Sequence, residues 1–218
     1  MAHKEKNAHV FERADNEWYV DSPSCAAALF DTQPFDGAIY DPCAGMGNIL
    51  RAASAAGYEV RGSDIAPRPA FYSDIPGVLI EEPRDFLRDN GEWEWVDNIV
   101  MNPPYGRSDD GRIEERFIDR ALDVSNGKVA ALLRLQWIVA REDYLRERGW
   151  IRTWLLTPRP SMLPGENIMA GEMPRGGAVD YAWVVFLHGF DGMATVGHAR
   201  RKNDLDSVES WFWRLGAR

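Results

Sequence analysis

The chain has 218 residues, of which 45% are hydrophobic and 27% are charged, and its net charge is −9. That length fits one sizeable core and is too short for two ordinary domains with a linker. No apolar run approaches the roughly 20 residues that a membrane helix requires, and no signal-peptide pattern follows the first residues. The two cysteines and four histidines lack the spacing of a disulfide framework or a zinc site. These features predict a single cytoplasmic domain over residues 1–218, with no metal and no membrane partner.

The charge is unevenly distributed along the chain. Residues 1–100 carry 8 basic and 18 acidic side chains, whereas residues 101–218 carry 17 basic and 16 acidic ones. An acidic chain is expected to bind random duplex DNA weakly. The asymmetry is still compatible with an acidic half that binds a cofactor and an arginine-rich half that meets phosphates, although solvated helix faces give the same pattern. The charge therefore permits a nucleic-acid partner without demonstrating one.

Helix and strand patterns alternate along the chain after a polar segment, 1–16, that we expect to be loosely held. Helices are predicted from 22–24 onward and at 48–56, 114–123, 141–147 and, at the end of the chain, 203–218. Strands are predicted at 37–41, 58–64, 78–80, 97–101, 128–135, 151–156 and 181–187. This alternation predicts an α/β fold with a single doubly wound, mostly parallel, seven-stranded sheet that binds ligands at the carboxyl ends of its strands.

The loop that joins the first strand to its helix is the first candidate site. Its sequence is Asp41-Pro42-Cys43-Ala44-Gly45-Met46-Gly47-Asn48. The glycines let the backbone turn sharply and approach a ligand, although a purely structural turn fits the same pattern. The third glycine of a dinucleotide fingerprint is absent, so the loop does not predict phosphate binding.

Acidic residues follow the next two predicted strands. Asp64, followed by Ile65, lies where a carboxylate can accept hydrogen bonds from ribose hydroxyls, and it can equally cap a helix. Asp85 can accept from an exocyclic amine while Phe86 lies against the ring, and on its own it is equally a turn residue. The sequence therefore predicts a nucleoside-binding edge only if these acids meet the glycine loop.

The stretch Asn102-Pro103-Pro104-Tyr105 follows the buried strand predicted at 97–101. An aromatic amine is a poor nucleophile because its lone pair is delocalised into the ring. The side-chain oxygen of Asn102 and the carbonyl of Pro103 can accept its two N–H groups and draw the nitrogen towards tetrahedral geometry. Tyr105 can stack on the substrate ring. We therefore interpret this stretch as a clamp for a planar amino group.

Together these motifs resemble the class I S-adenosylmethionine-dependent methyltransferases that modify exocyclic amino groups, and in particular the small, phage-type DNA adenine-N6 methyltransferases. The likeness runs from about residue 13 to residue 190. It implies a Rossmann-like methyltransferase fold with an antiparallel last strand, and S-adenosyl-L-methionine as the cofactor. It also implies that the catalytic residues are Asn102, Pro103, Pro104 and Tyr105. The cofactor-binding residues that it implies are Tyr19, Ser22, Asp41, Pro42, Cys43, Ala44, Gly45, Gly47, Asn48, Asp64, Ile65, Asp85 and Phe86.

The resemblance favours DNA as the partner and leaves alternatives open. RNA adenine methyltransferases and enzymes that methylate the glutamine side-chain amide of proteins use the same four-residue motif, and a non-catalytic cofactor-binding module is a further alternative. Little chain is left over for a recognition region, which predicts short-site or relaxed specificity. The apolar face of the helix predicted at 203–218 either docks on its own core or forms a dimer contact, so we expect a monomer or a weak homodimer.

Overall fold

The computed structural model describes residues 18–81, 83–88, 96–172, 177–202 and 206. The segment predicted to be loosely held, 1–16, lies outside the described residues. The helix predicted at 203–218 lies outside them as well, except for Asp206. Within the described part of the chain, no helix is both long and apolar enough to cross a membrane.

The described strands are β1 (Tyr19–Val20), β2 (Ile39–Asp41), β3 (Val60–Gly62), β4 (Leu79–Ile80), β5 (Asn98–Met101), β6 (Arg107–Ser108), β7 (Gly111–Arg112), β8 (Lys128–Arg134), β9 (Trp150–Thr157), β10 (Leu163–Pro164), β11 (Tyr181–Leu187) and β12 (Thr195–Arg200). The helices are α1 (Pro23–Thr32), α2 (Asn48–Ala55), α3 (Ile113–Val124), α4 (Leu135–Val139), α5 (Glu142–Glu147) and α6 (Gly165–Met169), with one turn of 3-10 helix at Pro69–Phe71. The order confirms the predicted alternation of strands and helices.

Among the described residues, eight strands form one sheet in the order β12-β9-β11-β8-β5-β2-β3-β4. All of them run parallel except β11, which is antiparallel to both of its neighbours. The mostly parallel sheet and the antiparallel strand at 181–187 are therefore as predicted. The sheet has one strand more than the seven predicted. That strand, β12, lies at the edge, is largely exposed and has a sequence, Thr-Val-Gly-His-Ala-Arg, with no large apolar run to mark it.

The strand order reverses between β2 and β5. From β2 the chain moves outward to β3 and β4, and it then returns to pair β5 with the opposite side of β2. In an open parallel sheet such a switch point leaves a crevice at the carboxyl ends of the two central strands. Here those ends are Asp41 and Met101, so the glycine loop and the stretch at 102–105 leave the sheet side by side.

The start of α1 is held by the far end of the chain. Ser22, at the N-cap position, makes no side-chain capping bond. Instead, Asp206 accepts hydrogen bonds from the backbone N–H of Ser24 (3.1 Å) and from its hydroxyl (2.7 Å). The buried Arg201 pairs with Asp206 and donates to the Ser24 hydroxyl (2.8 Å) and the Pro158 carbonyl (3.0 Å). This network fixes the start of α1, and residues 18–21 immediately before that helix line the site described below.

Replacing Arg201 by alanine should lower the free energy of unfolding by about 3 kcal/mol, because it leaves Asp206 as a charge without its cation in a largely buried setting. Urea denaturation measures this change. Lys202→Ala is the matched control, since the ion pair of Lys202 with Asp31 (2.8 Å) is solvent-exposed and its loss should cost about 0.5 kcal/mol. Equal losses in the two variants would show that the buried network does not anchor α1.

Candidate functional site

Two adjacent cavities lie at the carboxyl ends of β2 and β5. The first has a volume of about 280 Å³, and the second about 510 Å³. Asn102 and Pro104 line the first cavity, Tyr105 lines the second, and Tyr19 lines both. The stretch at 102–105 therefore forms part of the boundary between the two cavities.

Most of the predicted site residues come together in the first cavity. Those that line it are Tyr19, Pro42, Cys43, Ala44, Gly45, Asp64, Ile65, Asp85, Phe86, Asn102 and Pro104. They come from five separate segments of the chain, and they meet because parallel strands present their carboxyl ends at one edge of the sheet.

The other predicted residues of this cavity lie behind its lining. They are Ser22, Asp41, Gly47, Asn48 and Pro103. Asn48 is buried and donates from its side-chain amide to the carbonyl of Asp21 (2.7 Å), which does line the cavity. Gly47 adopts a φ of +74°, and a Cβ on it would lie 3.0 Å from the Tyr72 ring. Asn48 thereby supports the lining residue Asp21, and Gly47 leaves room for the Tyr72 ring.

The N–H groups of the glycine loop are largely used within the protein. Cys43 donates to Asp41 Oδ1 (2.9 Å), Ala44 to the Ser63 carbonyl (2.9 Å), Gly45 to Asp64 Oδ2 (2.8 Å) and Gly47 to the Ala44 carbonyl (2.6 Å). A phosphate-binding loop needs such N–H groups pointing at the ligand. These four are not available for that purpose, which agrees with the missing third glycine of a dinucleotide fingerprint.

The two acids that follow β3 and β4 have local partners and still face the cavity. Asp64 also accepts from the N–H of Ala66 (2.9 Å), and Asp85 accepts from the N–H of Leu87 (3.1 Å). A carboxylate has about four acceptor positions, so each side chain retains capacity for a ligand. Ile65 is 57% exposed, and Phe86 packs against Phe117 with ring centroids 5.5 Å apart. The cavity thus offers acidic acceptors and apolar surface together.

Three carboxyl groups lie close together at the base of this cavity, those of Asp21, Asp41 and Asp64, while Arg68 and Arg84 also line it. Asp41 is buried, and desolvation raises the pKa of its carboxyl well above the ordinary value. The nearby Asp21 and Asp64 raise that pKa further, while the hydrogen bond from Cys43 opposes the shift. Bringing a positive charge into the cavity would relieve this repulsion. The site is therefore suited to a ligand that carries cationic groups.

Asn102 is held by hydrogen bonds on both sides of its amide group. Its Nδ2 donates to the carbonyl of Tyr19 (3.1 Å). The Tyr105 hydroxyl oxygen lies 3.0 Å from Asn102 Oδ1 and 2.7 Å from the Leu132 carbonyl oxygen, so it can donate to either. Burial raises the pKa of Tyr105, which keeps this hydroxyl a donor. The bond to Tyr19 orients the amide, and the oxygen is left as the acceptor.

The second cavity is rich in arginine. Arg112, Arg134 and Arg141 line it together with Gln136 and Trp137. Trp137, which the sequence gives no reason to place at a site, is buried against this cavity. Glu114 lines the cavity as well, and Arg112 and Arg141 lie near glutamates. Arg134 therefore contributes most of the charge that favours a negatively charged acceptor.

Trp18 closes one side of the first cavity through contacts that the sequence does not predict. The Arg68 guanidinium lies 3.6 Å from the centroid of the Trp18 ring, and Gly165 lies so close to the ring that a Cβ there would approach it to 2.2 Å. The pairing of β1 with β10 and the bond from the Gly165 N–H to the Trp18 carbonyl (2.9 Å) hold this arrangement. Only tertiary structure brings residues 18 and 165 together.

No metal site accompanies these cavities in the part of the chain that is described, where no group of three or more His, Cys, Asp or Glu side chains is arranged to bind an ion.

The fold is similar to that of many solved structures, although no protein-family model and no curated protein sequence matches the chain. A protein from Listeria monocytogenes, described as a class I S-adenosylmethionine-dependent methyltransferase, has 12% identity and a TM-score of 0.54, over 87% of this chain and 68% of its own. A protein from Pyrococcus horikoshii, described as an RNA methyltransferase, has 16% identity and a TM-score of 0.54, over 75% of this chain and 81% of its own.

The M protein of the type I restriction enzyme EcoKI is a third similar structure, with 14% identity and a TM-score of 0.53. The alignment covers 84% of this chain and 49% of the EcoKI protein, so this chain spans about half of that protein's length. At such identities the likeness establishes the fold. The chain has the Rossmann-like fold of the S-adenosylmethionine-dependent methyltransferases.

Replacing Asp41 by asparagine should raise the free energy of unfolding, and the gain should grow as the pH rises. Unfolded aspartate titrates near pH 3.9, whereas burial holds the folded pKa well above that value. Between these two values the folded wild type binds a proton that the unfolded chain has released, so its stability falls with increasing pH. Asparagine does not titrate, and its side-chain oxygen can still accept from Cys43.

Urea denaturation of both proteins at several pH values measures this difference. Asp123→Asn, at an exposed position on α3, is the control and should show no such trend. A stability difference between Asp41→Asn and the wild type that does not depend on pH would contradict the prediction.

Proposed function

We propose that this protein is an S-adenosylmethionine-dependent methyltransferase that transfers a methyl group to an exocyclic amino group, namely N6 of adenine in DNA. The observation that carries the proposal is the position of Asn102. It lies at the carboxyl end of β5, at the boundary between an acidic cavity suited to a cationic nucleoside and a second cavity lined by arginines.

Three features of the first cavity support S-adenosylmethionine as the cofactor. The glycine-loop N–H groups described above are engaged within the protein, which disfavours a phosphate-bearing dinucleotide. The carboxylates of Asp21 and Asp64, which line the cavity next to the buried Asp41, favour a ligand with ammonium and sulfonium charges. Asp64 and Asp85 provide acceptors for ribose hydroxyls and an adenine amine, with Ile65 and Phe86 against the ring. When bound, the cofactor would supply a methyl group activated by its sulfonium, whose bond to that methyl group breaks on transfer and leaves a neutral thioether.

The chain's own residues would then prepare the acceptor nitrogen. Asn102 Oδ1 and the Pro103 carbonyl would each accept a hydrogen bond from one N–H group of the amino group. The hydrogen bond that Asn102 Nδ2 donates to the Tyr19 carbonyl keeps the amide oxygen directed at the amino group. As the new N–C bond forms, the nitrogen becomes cationic, and these oxygens stabilise its charge before a proton is released to water. Positioning and electrostatics supply the catalysis, so no dedicated general base is required.

A nucleic acid is the class of acceptor that the second cavity supports best, and the form of the glycine loop and the order of the motifs favour DNA over RNA. Arg134 in particular suits a phosphodiester, since Arg112 and Arg141 lie near glutamates, whereas the glutamine amide of a protein needs no such charge. In a duplex the target adenine would have to leave the base stack, which costs a few kcal/mol, partly offset by stacking on Tyr105.

Transfer of a tritiated methyl group from S-adenosylmethionine should label unmethylated DNA, and nucleoside analysis should recover the label as N6-methyladenine. RNA and glutamine-containing peptides serve as parallel acceptors and should be labelled far less. Labelling of RNA or peptide instead of DNA would overturn the choice of acceptor. Binding of the cofactor with no transfer to any of the three would indicate a non-catalytic module.

Replacing Asn102 by alanine should lower kcat by about 10²- to 10³-fold, since it removes an acceptor that acts on charge developing in the transition state. The dissociation constant for the cofactor, measured by calorimetry, should remain within about threefold, because most of the first cavity is unchanged. Asn126→Ala, which alters an exposed asparagine beyond α3, should behave as wild type. Full activity in Asn102→Ala would exclude the proposed mechanism.

A further inference from the structure

Arg134 stands apart from the other arginines of the second cavity. Arg141 forms an ion pair with Glu115 (2.9 Å), and Arg112 lies near Glu114 (3.9 Å) and Glu115 (4.0 Å). Within the described part of the chain, Arg134 has no such carboxylate partner, although it is the last residue of β8 and is exposed at the cavity. Of these three arginines, it is therefore the one whose positive charge no described carboxylate neutralises.

The partners of Arg134 are aromatic rings instead. Its guanidinium lies 4.8 Å from the centroid of the Tyr105 ring, in a cation–π arrangement. It also lies beside Tyr181, its partner in the β8–β11 register, where burial raises the pKa of the tyrosine hydroxyl and Arg134 opposes that shift. The Tyr181 ring centroid is 6.4 Å from that of Tyr105. Tyr105 is therefore packed in and only 7% exposed.

This packing conflicts with stacking of a substrate ring on Tyr105, unless the guanidinium moves away. Arginine is a flexible side chain, and a phosphate is a much stronger partner for it than an aromatic face. A nucleic-acid strand that enters the second cavity brings both a ring for Tyr105 and a phosphate for Arg134.

We infer that Arg134 covers Tyr105 in the free protein and, when the acceptor binds, leaves that ring to bind the phosphodiester next to the target adenine. Arg134 thereby makes the site selective for an adenine within a polynucleotide over a free base or an uncharged amide. This inference rests on the proposed function and adds a residue and a substrate contact to it.

Binding of a fluorescein-labelled single strand, with one adenine among thymines, tests the inference by anisotropy from about 50 to 200 mM salt. Arg134→Gln should weaken binding roughly tenfold at the lowest salt, as expected for one lost charge-assisted bond. It should also reduce the slope of log affinity against log salt by about 0.7, the value for one phosphate on a single strand. Arg134→Lys should retain the slope.

Arg152→Gln is the matched control. Arg152 is also a strand arginine beside an aromatic ring, that of Trp154 at 5.0 Å, but it lines neither cavity. A second strand with uncharged methylphosphonates on both sides of the adenine completes a double-mutant cycle. The wild type should bind the methylphosphonate strand as weakly as Arg134→Gln binds the unmodified strand. Arg134→Gln should bind both strands with the same affinity.

Two outcomes would overturn the role of Arg134 while leaving the proposed function intact, provided that the wild type methylates DNA. One is additive effects in the double-mutant cycle, and the other is equal salt slopes for Arg134→Gln and Arg152→Gln. A wild type that binds no strand and methylates no nucleic acid would overturn the proposed function, and this inference with it.

Discussion

The hydrogen bond from the Asn102 side chain to the Tyr19 carbonyl is the contact on which the site depends. It joins the segment before α1 to the end of β5, and the two residues lie where the acidic cavity meets the arginine-lined one. Tyr19 belongs to β1, whose only described pairing is with β10. The orientation of one amide thus depends on three remote parts of the chain, and the fold positions all three.

Repulsion between the carboxyl groups of the first cavity lowers the stability of the free protein, and binding of a cation can offset that loss. Burying Asp41 close to Asp21 and Asp64 opposes ionisation of its carboxyl, and this local repulsion destabilises the protein. A cationic ligand is attracted by the same acidic side chains that repel one another in the free protein. The cluster that destabilises the free protein therefore stabilises the complex. Preferential binding to the folded state then stabilises it by mass action.

Buried apolar runs and the ends of parallel strands were readable from the sequence, because both follow from local pattern. The apolar runs predicted seven of the eight strands of the main sheet. Because ligands bind at the carboxyl ends of parallel strands, the sequence also predicted that Asp64, Asp85 and Asn102 lie at one edge, and they line one cavity. The edge strand β12 was not predictable, since an exposed strand needs no apolar run. The placement of Arg68 on Trp18 and of Arg134 on Tyr105 depends on tertiary contacts that no local pattern records.

The insertion of β11 between β8 and β9 has a consequence for synthesis on the ribosome. Among the described strands, the eight-residue β9 pairs only with β11 and β12, and both emerge after it. Until they do, β9 has two unpaired edges, and it exposes backbone groups that other nascent chains can join. Arg152, in the middle of this strand, places a charge among its tryptophans during that interval. The same residue order that completes the sheet last therefore leaves β9 without partner strands until the end of this part of the chain has emerged.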